Sequence, residues 1–267
     1  PTVATDLAQT TAFLYRGANP IQTGVSSTTF RPEHAAVVRG RVLKRDGGPL
    51  TGVTVTVLNH PEFGATKSRA DGGYDLAVNG GSLLTLTLAK EGFLPVQRKV
   101  QANWRDWSVV EDAVMIPVDG AVTTVFFGTP ESSIAQGSAV TDGRGTRRAA
   151  LYFPPNVGAF VNQFPLPPQP MMELNIRATE YTVGDNGPAA MPGELPPTTG
   201  YTYAAELSAD EAGTSNVEFT QPVYVYVDNF LNFPIGETVP SGYYDREKGA
   251  WVASDNGRIV KVLGVTG

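Results

Sequence analysis

The 267-residue chain is 41% hydrophobic and carries a net charge of −6 spread along its length; this suits one large or two ordinary globular domains and leaves no clustered basic face for nucleic acid. It has no cysteine, which excludes disulfides and thiolate chemistry, and no apolar run approaches the ~20 residues of a helical membrane span. Its 29 glycines and 21 prolines read as turns between many short elements.

The chain opens on Pro1 rather than Met, without a basic or apolar leader in residues 1–6, and so reads as a fragment or processed product. Residues 1–36 show no sustained period and are broken by Gly17, Pro20, Gly24 and Pro32, which predicts an extended arm; Phe13-Leu14-Tyr15 is its apolar cluster, expected to anchor on a neighbouring surface. Residues 37–118 alternate with a period of two, and strands are expected at 37–43, 51–58, 73–78, 83–89 and 109–116. Asp46-Gly47-Gly48-Pro49 turns the first of these into the second, and Asp71-Gly72-Gly73, with residues that accept positive φ, reads as a hairpin.

From 119 to 267 the rhythm continues. Strands are expected at 122–127 and 148–153, the latter in a hairpin through Asp142-Gly143-Arg144-Gly145, then at 173–181, 201–207 and 222–227. Pro165, Pro167, Pro168 and Pro170 exclude a central strand between them and predict a surface excursion. Residues 205–212 are the one helix candidate, with Ser208 as cap and Asp210-Glu211 in the first turn. Tyr243-Tyr244-Asp245 is linked by residues 246–249 to Ala250-Trp251-Val252, and Asp255-Asn256-Gly257 is expected to turn the chain once more. The fold class read from this pattern is all-β, with two consecutive β-sandwich domains behind the arm.

No residue set for chemistry emerges. His34 lies in the arm and His60 precedes Pro61 at a turn, and both suit a structural or solvated role. Nucleophile-elbow, zinc-helix, phosphate-loop and dinucleotide-binding motifs are absent from the sequence. Asp106, Glu111 and Asp112, beside Trp104 and Trp107, have the residue types that glycosidic chemistry needs, yet such a segment suits a packed aromatic corner better. Asp71 to Asp75 and Asp142-Gly143 lack the oxygen series of a calcium loop and are explained by turn chemistry. No catalytic, cofactor-binding or metal-ligating residue is therefore assigned. The aromatics Trp104, Trp107, Tyr243, Tyr244 and Trp251 are the candidates for an interface or ligand surface, with core or interdomain packing as their first reading.

Val38-Arg39-Gly40-Arg41-Val42, Pro49-Leu50-Thr51-Gly52-Val53-Thr54-Val55, His60-Pro61-Glu62-Phe63-Gly64, Arg69-Ala70-Asp71-Gly72-Gly73-Tyr74-Asp75-Leu76, Val78-Asn79-Gly80-Gly81 and the strand from 104 to 116 resemble the transthyretin-like, carboxypeptidase-regulatory-like module of teneurins and bacterial RHS/YD-repeat proteins. Residues 13–15 with 19–25, 177–184, Ala190-Met191-Pro192-Gly193-Glu194-Leu195-Pro196-Pro197 and 242–257 are similar to the segment before the repeats in the bacterial branch. Residues 137–155 also look like the β-sandwich of ankyrins and netrin receptors, some relatives of which cleave themselves at a His-Phe-Ser sequence; this chain has no histidine after His60.

The resemblance implies a transthyretin-like sandwich at 37–118 and a larger Ig-like or ankyrin-type sandwich at 119–267. It also implies a place before a hollow YD-repeat shell, which encloses a toxin in bacteria or serves adhesion in teneurins. The expected role is a non-catalytic scaffold beside or capping that shell, without cofactors, in a secreted or cell-surface bacterial protein. The expected partner is the remainder of its own polypeptide, with other proteins or glycans second. A glycan-binding adhesin module using Trp104 and Trp107 is the alternative.

Overall fold

A computed structural model describes residues 6–26, 28–163, 165–197, 199–213 and 215–264, so the expectation placed on residues 1–5 lies outside the described residues. Strands dominate, as expected for an all-β protein, and the α-helices described are two four-residue turns. The chain divides into two compact units. The first comprises Pro1–Pro117 with Asn186–Gly200 and Gly242–Ser254, and the second comprises Val118–Asp185, Tyr201–Ser241 and Asp255–Gly267. Sequence reading places one border near 118; the first unit also gathers two segments from much later in the chain.

In the first unit the arm begins with a helical turn, α1 (Leu7–Thr10), where an extended chain was expected. The Asp6 carboxylate accepts the Ala8 N–H at 3.1 Å and so satisfies a donor that an extended arm would leave to water. Leu14 is buried against Val37 and Ala77, and Tyr15 meets Phe30 with ring centroids 4.4 Å apart, while Phe13 faces solvent.

The strands of this unit are β1 (Gln22–Thr23), β2 (Ala35–Lys44), β3 (Thr54–Val57), β4 (Ala65–Lys67), β5 (Gly73–Asn79), β6 (Ser82–Ala89), β7 (Val96–Ala102), β8 (Trp107–Val109) and β9 (Ala113–Met115). One sheet has the order β1-β4-β3-β6-β7; the other runs β5-β2-β8, with β9 also on β2. The valines of Val53-Thr54-Val55-Thr56-Val57 and the leucines of Leu84-Thr85-Leu86-Thr87-Leu88 point to one face and meet Val38, Tyr74, Leu76 and Val78 of the other sheet in a shared core. The threonines therefore face outward.

Three expectations for this unit are corrected. The turn at Asp71-Gly72-Gly73 forms, with Gly72 at φ 78° and its N–H donated to the Arg69 carbonyl at 2.9 Å. However, β4 before it and β5 after it lie in different sheets, so it is a corner and not a hairpin. The reason is the run Leu76-Ala77-Val78, buried on both faces, which pairs with the equally apolar start of β2. The expected strand at 109–116 is two short strands, β8 and β9, each parallel to β2. Finally β7 was missed, because Gln97-Arg98-Lys99 hides its alternation.

One side of this sandwich is closed by the arm. β1 pairs with β4, while the Gln22 side chain accepts the Ala77 N–H at 2.8 Å and donates to the carbonyls of Ala77 at 2.9 Å and Phe63 at 2.7 Å. A buried carboxamide thus takes the place of a neighbouring strand at the β5 edge.

The second unit contains β10 (Thr123–Phe126), β11 (Ser133–Gln136), β12 (Val140–Asp142), β13 (Gly145–Arg147), β14 (Ala149–Phe153), β15 (Ala159–Asn162), β16 (Gln169–Met171), β17 (Glu173–Glu180), β18 (Ala205–Ala209), β19 (Asn216–Phe219) and β20 (Tyr224–Val227). They form the sheets β10-β17-β18, β11-β14-β20 and β16-β15-β19 and the ribbon β12-β13. The core holds Val125, Leu151, Leu174 and Ile176, with Phe127, Phe153 and Phe219 mutually in contact at centroid distances of 5.7–6.0 Å.

Pro170 sits in β16, an edge strand, where a missing N–H is tolerated. The hairpin around residues 142–145 joins β12 to β13, and β14 pairs instead with β11 and β20. Residues 205–212 are not helical: β18 pairs with β17 and only Asp210–Ala212 make a 3₁₀ turn, because Ala209 is needed on the buried face against Ile176. Beneath the β12–β13 turn, buried Arg147 holds Asp142 at 2.7 and 2.9 Å and Glu180 at 2.7 Å, with its guanidinium 4.6 Å from the Phe230 ring.

The last ribbon is β21 (Thr238–Asp245) with β22 (Ala250–Arg258), turned by Asp245, whose carboxylate accepts the N–H groups of Glu247 and Lys248. The turn expected at Asp255-Asn256-Gly257 does not form. β22 continues through these residues and Gly257 does not enter the left-handed region.

Candidate interaction site

β7 is an edge strand, and a polar pair such as Gln97-Arg98 on an edge is expected to be solvated. Both residues are buried. What covers them are the two late segments of the same unit, Asn186–Gly200 and Gly242–Ser254.

Arg98 lies on the core-facing row of β7 between Val96 and Val100, opposite Leu86. Its Nη1 donates to the carbonyls of Gln97 at 2.7 Å and Met191 at 3.1 Å, and its Nη2 to the carbonyl of Ala189. The last two follow or end the helical turn α2 (Gly187–Ala190), whose C-terminal carbonyls have no partner within the turn. The guanidinium supplies donors to them, as cations do at helix C-termini. Burial lowers the Arg98 pKa from its ordinary value, so carbonyl dipoles here hold a charge that has lost most of its water.

Gln97 joins the edge to both segments. Its backbone N–H donates to the Pro192 carbonyl at 2.7 Å, so that residue 192 extends the sheet by one bond. Its side-chain Nε2 donates to Thr87 Oγ1 at 3.1 Å and to the Arg246 carbonyl at 3.0 Å, while its Oε1 accepts the Tyr244 hydroxyl at 2.9 Å. The ring of Tyr244 meets Trp251 edge-on at 5.4 Å, and Trp251 Nε1 donates to the Gly193 carbonyl at 3.3 Å. Gly193 must be glycine for this approach, because a Cβ there would stand 2.2 Å from the Tyr244 ring. The hairpin tip reaches the outward threonine row, where a Cβ on Gly249 would be 3.2 Å from Thr85 Cγ2.

The candidate aromatics thus separate. Tyr244 and Trp251 form one packed cluster with Gln97, and Tyr243 points to solvent at 53% exposure. Trp104 is 61% exposed, stacks on His34 at 5.1 Å and donates to the Gly80 carbonyl at 2.9 Å. Trp107 is 39% exposed with the Arg39 guanidinium 4.5 Å from its ring centre. Of the carboxylates, Asp112 pairs with Arg41, Asp106 accepts the N–H of Trp107 at 2.8 Å, and Glu111 lines an open cleft with Trp107. His60 pairs with Glu62 at 2.9 Å. Among the described residues no group of three or more metal-ligating side chains is found, and no helix is long and apolar enough to cross a membrane.

Sequence reasoning missed Gln97, Arg98 and Gly193. The available signal was a pair of long polar side chains within a stretch spaced for a strand, and a glycine next to proline in the segment 190–197.

The two sheets of the first unit form a β-sandwich. Its residues 30–115 match the family model of the Teneurin TTR-like domain. The chain is 39% identical to Teneurin-1 of Gallus gallus over 87 residues, which is 33% of this chain and 3% of that protein. It is 42% identical to Teneurin-3 of Mus musculus over 86 residues, 32% of this chain and again 3% of that protein. The matched stretch is therefore a small part of these relatives. A solved structure, the Bacillus anthracis TIE protein, aligns over 66% of this chain and 26% of its own at 12% identity and a TM-score of 0.29, at which the likeness decides nothing.

Proposed function

We propose that this chain is a non-catalytic structural and protein-interaction module of an RHS/YD-repeat secreted or surface protein, packing beside or capping a repeat shell formed by the rest of its polypeptide. The observation that carries this reading is the covering of the β7 edge at Gln97 and Arg98. Two of the segments that resemble the region before the repeats, 190–197 and 242–257, contribute Met191, Pro192, Gly193, Tyr244 and Trp251 to one packed assembly on the Teneurin TTR-like domain. A segment that spends its backbone carbonyls and aromatic side chains on internal packing serves a scaffold, since what it fixes is the path of the chain and not the position of a reactive group. The Ig-like or ankyrin-type character of 119–267, and a border near 118, belong to the same reading.

The test is to express the 267-residue chain and the remainder of its native reading frame separately and mix them at low micromolar concentration. The reading expects a stable one-to-one complex by size-exclusion chromatography with light scattering. A well-folded chain that forms no complex overturns it.

A further inference from the structure

β20 is an edge strand of the second unit, and each of its four residues is between 38% and 51% exposed. Backbone groups of successive residues on a strand point to opposite sides. The Asp228 N–H bonds the Arg148 carbonyl beside β14, so Tyr224 and Tyr226 also turn their N–H and C=O to β14, while Val225 and Val227 turn theirs outward. Among the described residues nothing pairs with those outward groups. Side chains alternate as well. Tyr224 and Tyr226 stand on the outer face opposite Tyr152 and Ala150; Val225 and Val227 continue the core-facing row of Leu151 and Ala149, which are 6% and 2% exposed, past the edge of the core. Core-row valines with about half their surface in water mark a sheet that stops one strand short. Edge strands are commonly guarded by a charge or a proline. From Val223 to Val227 there is neither, and Pro222 and Asp228 stand only at the two ends.

We propose that β20 pairs with β20 of a second copy of this chain, antiparallel and two-fold symmetric about Val225, joining two three-stranded sheets into one of six. The occupant follows from the order of residues on the strand. Residues with outward backbone groups face each other across such a pair, so Val225 meets Val225 of the second copy. This register sets Tyr224 against Tyr226 on the outer face and Val223 against Val227 on the core face, and puts Asp228 opposite Pro222. Apolar residues thereby meet apolar ones, rings meet rings, and no like charges oppose. A centre at Val227 would instead set Tyr226 against Asp228, and a centre at Val223 would set Tyr224 against Pro222. The new tyrosine pair extends the contact of Tyr152 with Tyr224, whose ring centroids are 6.3 Å apart. The four residues of β20 bury roughly 700 Å² over both copies, short of the about 1,000 Å² that a stable interface needs, so the dimer is weak and forms at high local concentration. The contact requires no repeat shell and stands or falls apart from the function proposed above.

The test uses the full 267-residue chain, which has no cysteine of its own. In sedimentation equilibrium its average mass should rise from that of one chain toward that of two as the concentration goes from about 10 μM to about 1 mM. Val225→Lys sets two like charges face to face and is expected to weaken association at least tenfold, with little change in the urea midpoint because the position is half exposed. Val225→Cys places two thiols on a hydrogen-bonded pair, whose Cα atoms stand about 5.5 Å apart and within reach of a disulfide. In Val227→Cys the two thiols lie four positions apart along the pair, about 13 Å. Under mild oxidation Val225→Cys is therefore expected to cross-link at least tenfold faster than Val227→Cys, and at least tenfold faster than Thr141→Cys at an exposed position of β12. The cross-link keeps the test decisive should Val225→Lys fold poorly. A chain that stays monomeric at about 1 mM, an association that Val225→Lys leaves unchanged, or a Val225→Cys variant that cross-links no faster than Thr141→Cys, each overturns the proposal.

Discussion

Tyr244 gives its hydroxyl proton to the side-chain oxygen of Gln97 at 2.9 Å across 147 positions of sequence. The bond is local in space because β7 is an edge, and an edge with a buried amide on its outer face needs a cover. Replacing Gln97 with alanine leaves the Thr87 hydroxyl, the Arg246 carbonyl and the Tyr244 hydroxyl each short of one partner. A loss of about 1–3 kcal/mol is expected, read as a lower urea midpoint of the first unit's transition, since unmade hydrogen bonds at half-buried groups cost on that order. A midpoint equal to wild type would show that the network adds nothing.

Gly193→Ala is expected to displace the hairpin. The new methyl group would overlap the Tyr244 ring, and either the ring or the backbone at 193 must move. Trp251, whose indole N–H bonds the Gly193 carbonyl, reports the change, so its fluorescence maximum should shift to the red as water reaches it. An unshifted spectrum would place the crowding elsewhere.

Arg98→Met removes a buried charge while keeping much of the volume. The carbonyls of Ala189 and Met191 then lose their donor, so proteolysis within residues 186–200 should quicken several-fold even where global stability changes little, because the lost charge also ends a desolvation cost. Unaltered cleavage would mean that Arg98 does not hold this segment.

Acid should weaken the second unit through Asp142. Its carboxyl is held well below the usual carboxylate range, first by the hydrogen bond from Arg147. A group whose folded pKa is depressed contributes stability that is fully present above its unfolded value of about 3.9 and is lost as the pH falls toward the folded value. The wild-type advantage over Asp142→Asn, measured by urea unfolding, should therefore be constant from about pH 5 to 7 and shrink below about pH 4. An advantage that persists undiminished at pH 2.5 would contradict this pairing.

How much of this was legible in sequence depends on the range of the interactions that decide each element. Alternating Val-Thr and Leu-Thr runs revealed β3 and β6 because their two faces meet different surroundings, core and exterior. β7 stayed hidden since its outer face is covered by Tyr244 and its edge by Pro192, contributed from about 90 to 150 positions later, so polar residues sit where a two-residue period alone expects none. Asp71-Gly72-Gly73 gave a correct turn and a wrong pairing, because turn chemistry is local whereas the choice of sheet is made by the two-sided burial of Leu76-Ala77-Val78. At 205–212 a cap signal was outweighed by the burial of Ala209 in β18. Of the candidate aromatics, Tyr244 and Trp251 were recognised as a class, but their meeting with Gln97 has no local signature.

That the late segment at Pro192 caps the β7 edge at Gln97 is tested most directly by amide hydrogen exchange at neighbouring positions of one strand. Gln97 and Lys99 both turn their N–H groups outward, the first onto the Pro192 carbonyl and the second into the open cleft. The account predicts that the Gln97 amide is strongly protected, that Lys99 exchanges far faster, and that Gly193→Ala removes the protection at Gln97 alone. Equal, rapid exchange at both positions in the wild-type chain would contradict it.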